Sequence, residues 1–258
     1  MVGQTSDVIS PLSPSTLNYS VQWWAGNIGY RRSQIRVTKE LDIGSETAVE
    51  LQGALTRNIG RASGFDPGDT GEDAGFPGVQ ARAAVPVRLC NGKKTTFGVS
   101  GHYAQEEYDT NVAGRNEDLE SWSANGDVAM PVNDWLTVKA EVFHGKNLNT
   151  YLGGINQGVD VFATRLTPIH SSGAWVAADL TPVEKWKFTA GASGEAIEAA
   201  DVKSAFARTA NRAIFANAVH EITRNASVGV EVSRWHTKYK HAKNRDSCRV
   251  QASFIYSF

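Results

Sequence analysis

The C-terminal stretch Cys248-Arg-Val-Gln-Ala-Ser-Phe-Ile-Tyr-Ser-Phe258 decides how the chain is read. Successive side chains of a strand point to opposite faces. One face of this stretch therefore carries Cys248, Val250, Ala252, Phe254, Tyr256 and Phe258, and the other carries Arg249, Gln251, Ser253, Ile255 and Ser257. The result is a strand with one apolar face and one polar face that ends on an aromatic. Such a strand fits a sheet edge of a soluble protein as well as a membrane barrel, so the arrangement of the other strands and loops has to discriminate.

Alternation of the same kind recurs along the chain. It starts near Arg32, where Gln34, Arg36, Thr38 and Glu40 oppose Ile35, Val37 and Leu41. Further apolar rows are Val49/Leu51/Leu55, Val79/Ala81/Ala83/Val85/Val87, Phe97/Val99/Gly101/Tyr103 and Trp122/Ala124/Gly126/Val128/Met130. Leu136/Val138/Ala140/Val142, Ala174/Val176/Ala178/Leu180, Trp186/Phe188/Ala190/Ala192 and Val228/Val230/Val232 follow. The segment Asn211 to Glu221 is strand-like with ambiguous faces, and Pro86 predicts a local bulge, since proline removes a ladder donor. The first thirty residues show no strand period and read as a loop anchored by Trp23 and Trp24.

About eleven antiparallel strands result, and their connections alternate strictly. Short turns follow the strands ending near Leu41, Leu89, Val132, Leu180 and Glu221, whereas long loops follow those ending near Thr56, Tyr108, His144, Ser193 and Trp235. Short turns on one rim and long loops on the other mark an up-and-down transmembrane barrel. A soluble sandwich mixes its connection lengths. The fold class expected is an all-β antiparallel transmembrane β-barrel. Residues 1–31 form a long extracellular or pore-folded loop, and residues 32–258 form the barrel strands with periplasmic turns. Barrels of this type have even strand numbers and must close, so the expectation includes further strands ahead of residue 1.

Bulk properties agree with this class without selecting it. The 258 residues are 41% hydrophobic, and 26 Lys plus Arg nearly balance 27 Asp plus Glu. No run approaches the roughly 18 to 20 apolar residues of a spanning helix. The near-neutral charge gives no reason to expect a nucleic-acid partner, and the N-terminus lacks the pattern of a secretory signal. The two cysteines match no zinc motif. Cys90 in a turn and Cys248 near the opposite rim are expected too far apart for a disulfide. The six histidines are scattered, with His236 and His241 close together only in a polar loop. No cofactor, metal site or catalytic set is expected. Ser100 and His102 share a face, but that spacing alone does not make a nucleophile–base pair.

The inward faces suggest a lumen. Arg36, Arg82, Arg88, Lys139, Lys187 and Arg249 lie there, with Arg31 and Arg32 where the first loop meets its strand. Glu40, Glu50, Asp127, Glu141 and Glu231 share these faces. Guanidinium forks match carboxylates bidentately, so the basic residues are candidates for lining an anion path.

The terminal strand ending on Phe resembles that of bacterial outer-membrane barrels. The segments Pro14-Ser-Thr-Leu-Asn18 and Gly26-Asn-Ile-Gly-Tyr-Arg-Arg-Ser-Gln-Ile-Arg-Val-Thr38 resemble a loop and strand found midway along DcaP-type trimeric porins. Arg31, Gln34, Ile35, Arg36 and Thr38 match, whereas Arg32 and Ser33 stand where that family has glutamine and proline. The resemblance implies an outer-membrane barrel of about sixteen strands, assembly as a homotrimer, and passage of small anionic solutes such as dicarboxylates. A soluble β-rich binding or structural domain, or a barrel used as an outer-membrane enzyme or adhesin, remains the alternative.

Overall fold

The computed structural model describes residues 1–44, 47–60, 71–72, 74–89, 92–109, 116–162 and 165–258. Its strands are β1 (Val2–Ser6), β2 (Arg31–Asp42), β3 (Ala48–Thr56), β4 (Gly78–Arg88), β5 (Lys94–Asp109), β6 (Asn116–Pro131) and β7 (Leu136–Lys146). Beyond these come β8 (Val159–Phe162), β9 (Arg165–Pro168), β10 (His170–Val183), β11 (Trp186–Ile197), β12 (Arg208–Thr223), β13 (Ala226–Tyr239) and β14 (Arg245–Tyr256). Twelve of them form one antiparallel sheet in the order β1-β2-β3-β4-β5-β6-β7-β10-β11-β12-β13-β14, with β1 and β14 at its edges. The pair β8–β9 is a separate hairpin inside the connection from β7 to β10.

The alternation in sequence fixes which face of each strand is which. Ile35, Val37, Leu51, Val99, Val142, Val176, Ile214, Val230 and Val250 stand exposed on the outer face. A soluble domain turns such rows inward, because a contiguous exposed apolar surface of this extent seeks a nonaqueous contact. The opposite face carries Gln34, Gln80, His102, Ser123, Asp127, Glu141, Asn217 and Glu231, all buried. Polar residues are thus buried and apolar ones exposed, the inverse of a soluble core and the arrangement of a barrel with a polar interior. At the turn rim, Trp186 stacks on Phe188 with ring centroids 5.8 Å apart. Trp186, Phe254, Tyr256 and Phe258 are all exposed there.

Several strand boundaries differ from the expectation. Val2–Ser6 is a strand after all, pairing with Ile35 to Arg31. Its residues Val-Gly-Gln-Thr-Ser carry too few apolar side chains to give a period of their own. The sheet therefore has twelve strands rather than eleven. Pro86 causes no bulge: the β4–β5 register runs unbroken through Pro86↔Thr96. The ladder to β3 has already ended at Ala84, so Pro86 sits where one missing donor is tolerated. The faces of β12 resolve with Asn211, Ala213, Phe215 and Asn217 buried. They were ambiguous in sequence because alanines occupy both rows. The connection expected as a loop over Tyr239 to Asp246 shrinks to residues 240–244, since β13 and β14 both extend further than their apolar rows. Cys90 and Asn91 lie outside the described residues, and Cys248 is an exposed free thiol.

Candidate functional site: a lumen lined by two inward loops

Residues 7–30 connect β1 to β2, and they run as a strap along the buried face of the sheet. The wall holds this strap chiefly through backbone groups. Val8 N–H donates to Gln80 Oε1 of β4 at 2.6 Å, and Leu12 N–H donates to Glu141 Oε1 of β7 at 2.8 Å. Further along, Leu17 N–H and Asn18 N–H donate to the two oxygens of Glu231 of β13 at 2.6 and 3.3 Å. Asn217 of β12 donates to the Ser15 carbonyl at 2.7 Å, and Asn211 to that of Trp24 at 3.0 Å. The strap thus spans the inner wall from β4 to β13. A loop lacking secondary structure leaves its own N–H and C=O groups open, and each buried one needs a partner. The inward carboxylates and amides of the strands supply them.

Two glycines make the fit possible. Gly229 on β13 faces the strap, and a Cβ there would stand 2.8 Å from Leu17 Cδ1. Gly26 has φ of +119°, and a Cβ on it would lie 2.2 Å from the Ala174 carbonyl oxygen of the wall. Side chains are excluded at both points of closest approach.

A second loop, following β7, turns inward through the 3-10 turn Asn149–Tyr151. Glu106 of β5 accepts from Asn147 Nδ2 at 2.7 Å, Thr150 Oγ1 at 3.1 Å and Tyr108 OH at 3.0 Å. Glu195 of β11 accepts from the N–H groups of Gly154 and Ile155. Because β2, β5 and β11 all hold this one loop, the sheet must curl around it as a wall. The loops also join each other: Trp24 N–H donates to the Leu152 carbonyl and Gly29 N–H to the Tyr151 carbonyl. Ile9, Ile28, Phe143, Leu148 and Tyr151 fill the space between them.

At the centre of this joint is Arg32, 1% exposed. Its Nε lies 2.9 Å from Asp7 Oδ1, its Nη2 donates to the Thr150 carbonyl at 2.6 Å, and its guanidinium carbon sits 3.6 Å from the Tyr151 ring centroid. His102 stacks on Tyr151 with centroids 3.8 Å apart, and its ring nitrogens meet Ser123 Oγ and Ser121 Oγ. Asp7 is further held by Gln80 Nε2 at 2.8 Å and Tyr30 N–H at 2.8 Å. Arg32 and Gln80 tie the strap and the second loop to the wall, Tyr30 N–H closes the strap on Asp7, and His102 joins β5 to β6 beneath Tyr151.

The eight basic residues expected to line the lumen fall into different roles. Arg31 takes the parity of exposed Ile35 and Val37, so its row faces outward and it does not line the pore. Arg32 is buried in the joint and inaccessible to a solute. Arg82 is clamped to Asp127 at 2.7 Å and Glu50 at 3.4 Å. Arg36 is partly buried and donates to Gln34 Oε1 at 3.0 Å and to the Ser6 carbonyl. Lys139 and Lys187 share one carboxylate, Asp179, at 2.9 and 3.5 Å. Lys187 also reaches Ser15 Oγ of the strap at 3.0 Å. Arg88 sits exposed at the turn rim and donates to the Gly92 carbonyl. Arg249 lies exposed opposite buried Ser233, on the inward row of β14.

Asp7, Gln80, Asp179 and Glu195 support this arrangement without being singled out by the sequence, and Glu106, which reads there only as half of a solvated loop pair Glu106/Glu107, lies instead in β5 and is 2% exposed. The inward parity of Asp179 and Glu195 is visible in the alternation, but that each meets a loop is not. Ser100 and His102 do share a face, yet the His102 ring bonds to Ser121 and Ser123 instead.

No protein-family model matches the chain, and no curated protein sequence does. Among solved structures, the crystal structure of the outer membrane channel DcaP of Acinetobacter baumannii matches with a TM-score of 0.78. That match is 18% identical and covers 100% of this chain and 71% of that one. A loop L8 deletion mutant of OmpT, an outer membrane protein of Vibrio cholerae, matches with a TM-score of 0.51 and 11% identity, covering 99% of this chain and 74% of that one. At such identities the likeness is one of fold, and the fold is that of an outer-membrane β-barrel, shared with DcaP.

Proposed function

We propose that the chain forms the wall of an outer-membrane porin, a diffusion channel for small solutes that prefers anions such as dicarboxylates. Short turns face the periplasm and long loops the exterior, and the assembly is a homotrimer, as the resemblance in the strap and β2 implies. The observation that carries the anion preference is a segregation of charge on the inner face. Glu106, Glu141, Glu195 and Glu231 lie under the loops, where each accepts from N–H, amide or hydroxyl donors of the loops. Arg36, Lys139, Lys187 and Arg249 lie on the turn side of the strap or at the β14 edge and keep surface toward the lumen. The pair of lysines around Asp179 leaves one positive charge in excess beside the strap. Glu40, Asp42 and Glu50 gather toward the turn rim, in a pocket they share with Arg82 and Lys94. A catalytic reading has no comparable support, since His102 is buried against Tyr151.

Reversal potential across a salt gradient in planar bilayers tests this. Lys187→Glu and Arg36→Glu are expected to shift selectivity toward cations and to weaken block by dicarboxylates. Arg82→Glu is not an equivalent probe, because it would leave Asp127 and Glu50 facing a third carboxylate. If Lys187→Glu and Arg36→Glu both keep the parent's selectivity, the anion preference is wrong. A parent that forms no channels removes the porin reading itself.

A further inference from the structure

The outer face of β12–β14 changes character toward the long-loop rim. On β13 the outward row runs Val228, Val230, Val232 and then Arg234, His236, Lys238. On β12 the corresponding step is from Ala218, Ala216 and Ile214 to Arg212. On β14 it runs from Phe254, Ala252 and Val250 to Cys248 and Asp246. The registers Arg212↔His236, Ile214↔Arg234 and His236↔Asp246 bring these ends together on one exposed patch. Among the described residues Asp246 is the only carboxylate in it: its Oδ1 lies 3.1 Å from His236 Nδ1 and 3.5 Å from Arg234 Nη2. The adjoining turn adds exposed Lys243.

The patch sits at a defined height. A tilted strand of an outer-membrane barrel climbs about 2.5 Å per residue, so an apolar band about 25 Å tall spans about ten residues. Counting from Ala226, the first residue of β13 after the turn, Arg234 stands about 20 Å, His236 about 25 Å and Lys238 about 30 Å up the strand, at the upper end of the band. Cations facing lipid cost most at the midplane and little near the interface, so they occupy the level where headgroups lie. The patch is not a general property of this rim, because the outward ends of β5 and β6 carry Glu107, Asp118 and Glu120.

Resting on the outer-membrane reading above, we infer that this patch binds the phosphate groups of outer-leaflet lipid, a phosphorylated glycolipid whose acyl chains lie along Val228, Val230 and Val232. Guanidinium forks match phosphate oxygens in pairs, and lysine adds a point charge. The apolar row beneath supplies the other half of an amphiphile's site. A polyanion in solution has no use for that half.

The test uses the full chain in detergent with hexa-acylated lipid A carrying two phosphates, and retention is read by native mass spectrometry. The parent retains the lipid. The variant R212Q/R234Q/H236Q/K238Q is expected to retain it about tenfold more weakly or less, as loss of several interfacial cations requires. Its single-channel conductance stays at the parent's value, because these side chains point away from the lumen. No retention by the parent overturns the proposal, as does equal retention by the variant or equal retention of dephosphorylated lipid A. Displacement by inorganic phosphate at the lipid's own concentration also overturns it, since that would make the site one for free phosphate. Failure of the parent to conduct in bilayers would strike the channel reading instead, and this separate measurement keeps the two failures apart.

Discussion

Arg32 shows how one residue can join three parts of the molecule. It comes from β2, its carboxylate partner Asp7 from the start of the strap, and the ring and carbonyl it touches from the 3-10 turn. Removing one partner of a buried pair leaves an uncompensated charge, which costs about 3–5 kcal/mol. Arg32→Met is therefore expected to lower markedly the temperature at which the detergent-solubilised barrel loses its heat-modifiable gel mobility. The double variant Arg32→Met with Asp7→Leu is expected to recover part of that loss, since an apolar replacement of both partners leaves no orphan charge. If the single and double variants melt alike, the pair does not hold the joint. This role was hidden in sequence. Arg32 was expected to line an anion path because it stands at a loop–strand junction, and nothing local distinguishes a junction arginine that meets solutes from one enclosed by a loop more than a hundred residues away.

At the scale of elements, the strap and the loop after β7 replace what a closed core would do in a soluble protein. Their backbone donors are satisfied by carboxylates on β7, β11 and β13, and side-chain donors of the second loop by Glu106 on β5, so the strands determine where the loops rest. Glu141 and Glu231 hold successive parts of the strap, at Leu12 and at Leu17–Asn18. An orphaned buried donor costs about 1–3 kcal/mol. The double variant Glu141→Ala with Glu231→Ala is thus expected to keep the sheet and free the strap. In bilayers this reads as larger conductance fluctuations, and in solution as faster protease cleavage between Pro11 and Val21. A variant with quiet conductance and a protected strap would show that the carboxylates are not its anchors. The sheet itself was legible, because a period of two survives wherever one row is apolar, as in Trp122 to Met130. What escaped were β1, whose five residues hold a single large apolar side chain, and the hairpin β8–β9 inside a loop. The inward acids were visible as a row, but their partners were not. Backbone donors of an aperiodic loop have no signature in residue type.

For the whole molecule, the question is which face meets lipid, and the two tryptophans Trp186 and Trp175 answer it from opposite sides of one wall. Trp186 stands exposed on the outer row at the turn rim, against Phe188 and His220. Trp175 stands 3% exposed on the inner row, where its Nε1 donates to Glu141 Oε2 at 2.9 Å. In a barrel embedded in bilayer the aromatic girdle lies at the headgroup level, and the interior is shielded from acyl chains. Lipids brominated near the headgroup should therefore quench Trp186 more than lipids brominated near the terminal methyl. The parent and Trp175→Phe are expected to show that quenching alike, while Trp186→Phe loses the largest share of it. Had the exposed apolar rows instead been the buried interface of a soluble assembly, the protein would need no detergent and brominated lipid would leave both tryptophans equally bright. Quenching that follows Trp175 rather than Trp186 would mean that the wall is turned inside out. It would then be the polar row that met the bilayer, at a cost of several kcal/mol for each unsatisfied buried group. The outward rows of Ile35, Val99, Val142, Val176 and Val230 argue for the first outcome, because only a hydrocarbon surrounding makes their common exposure favourable.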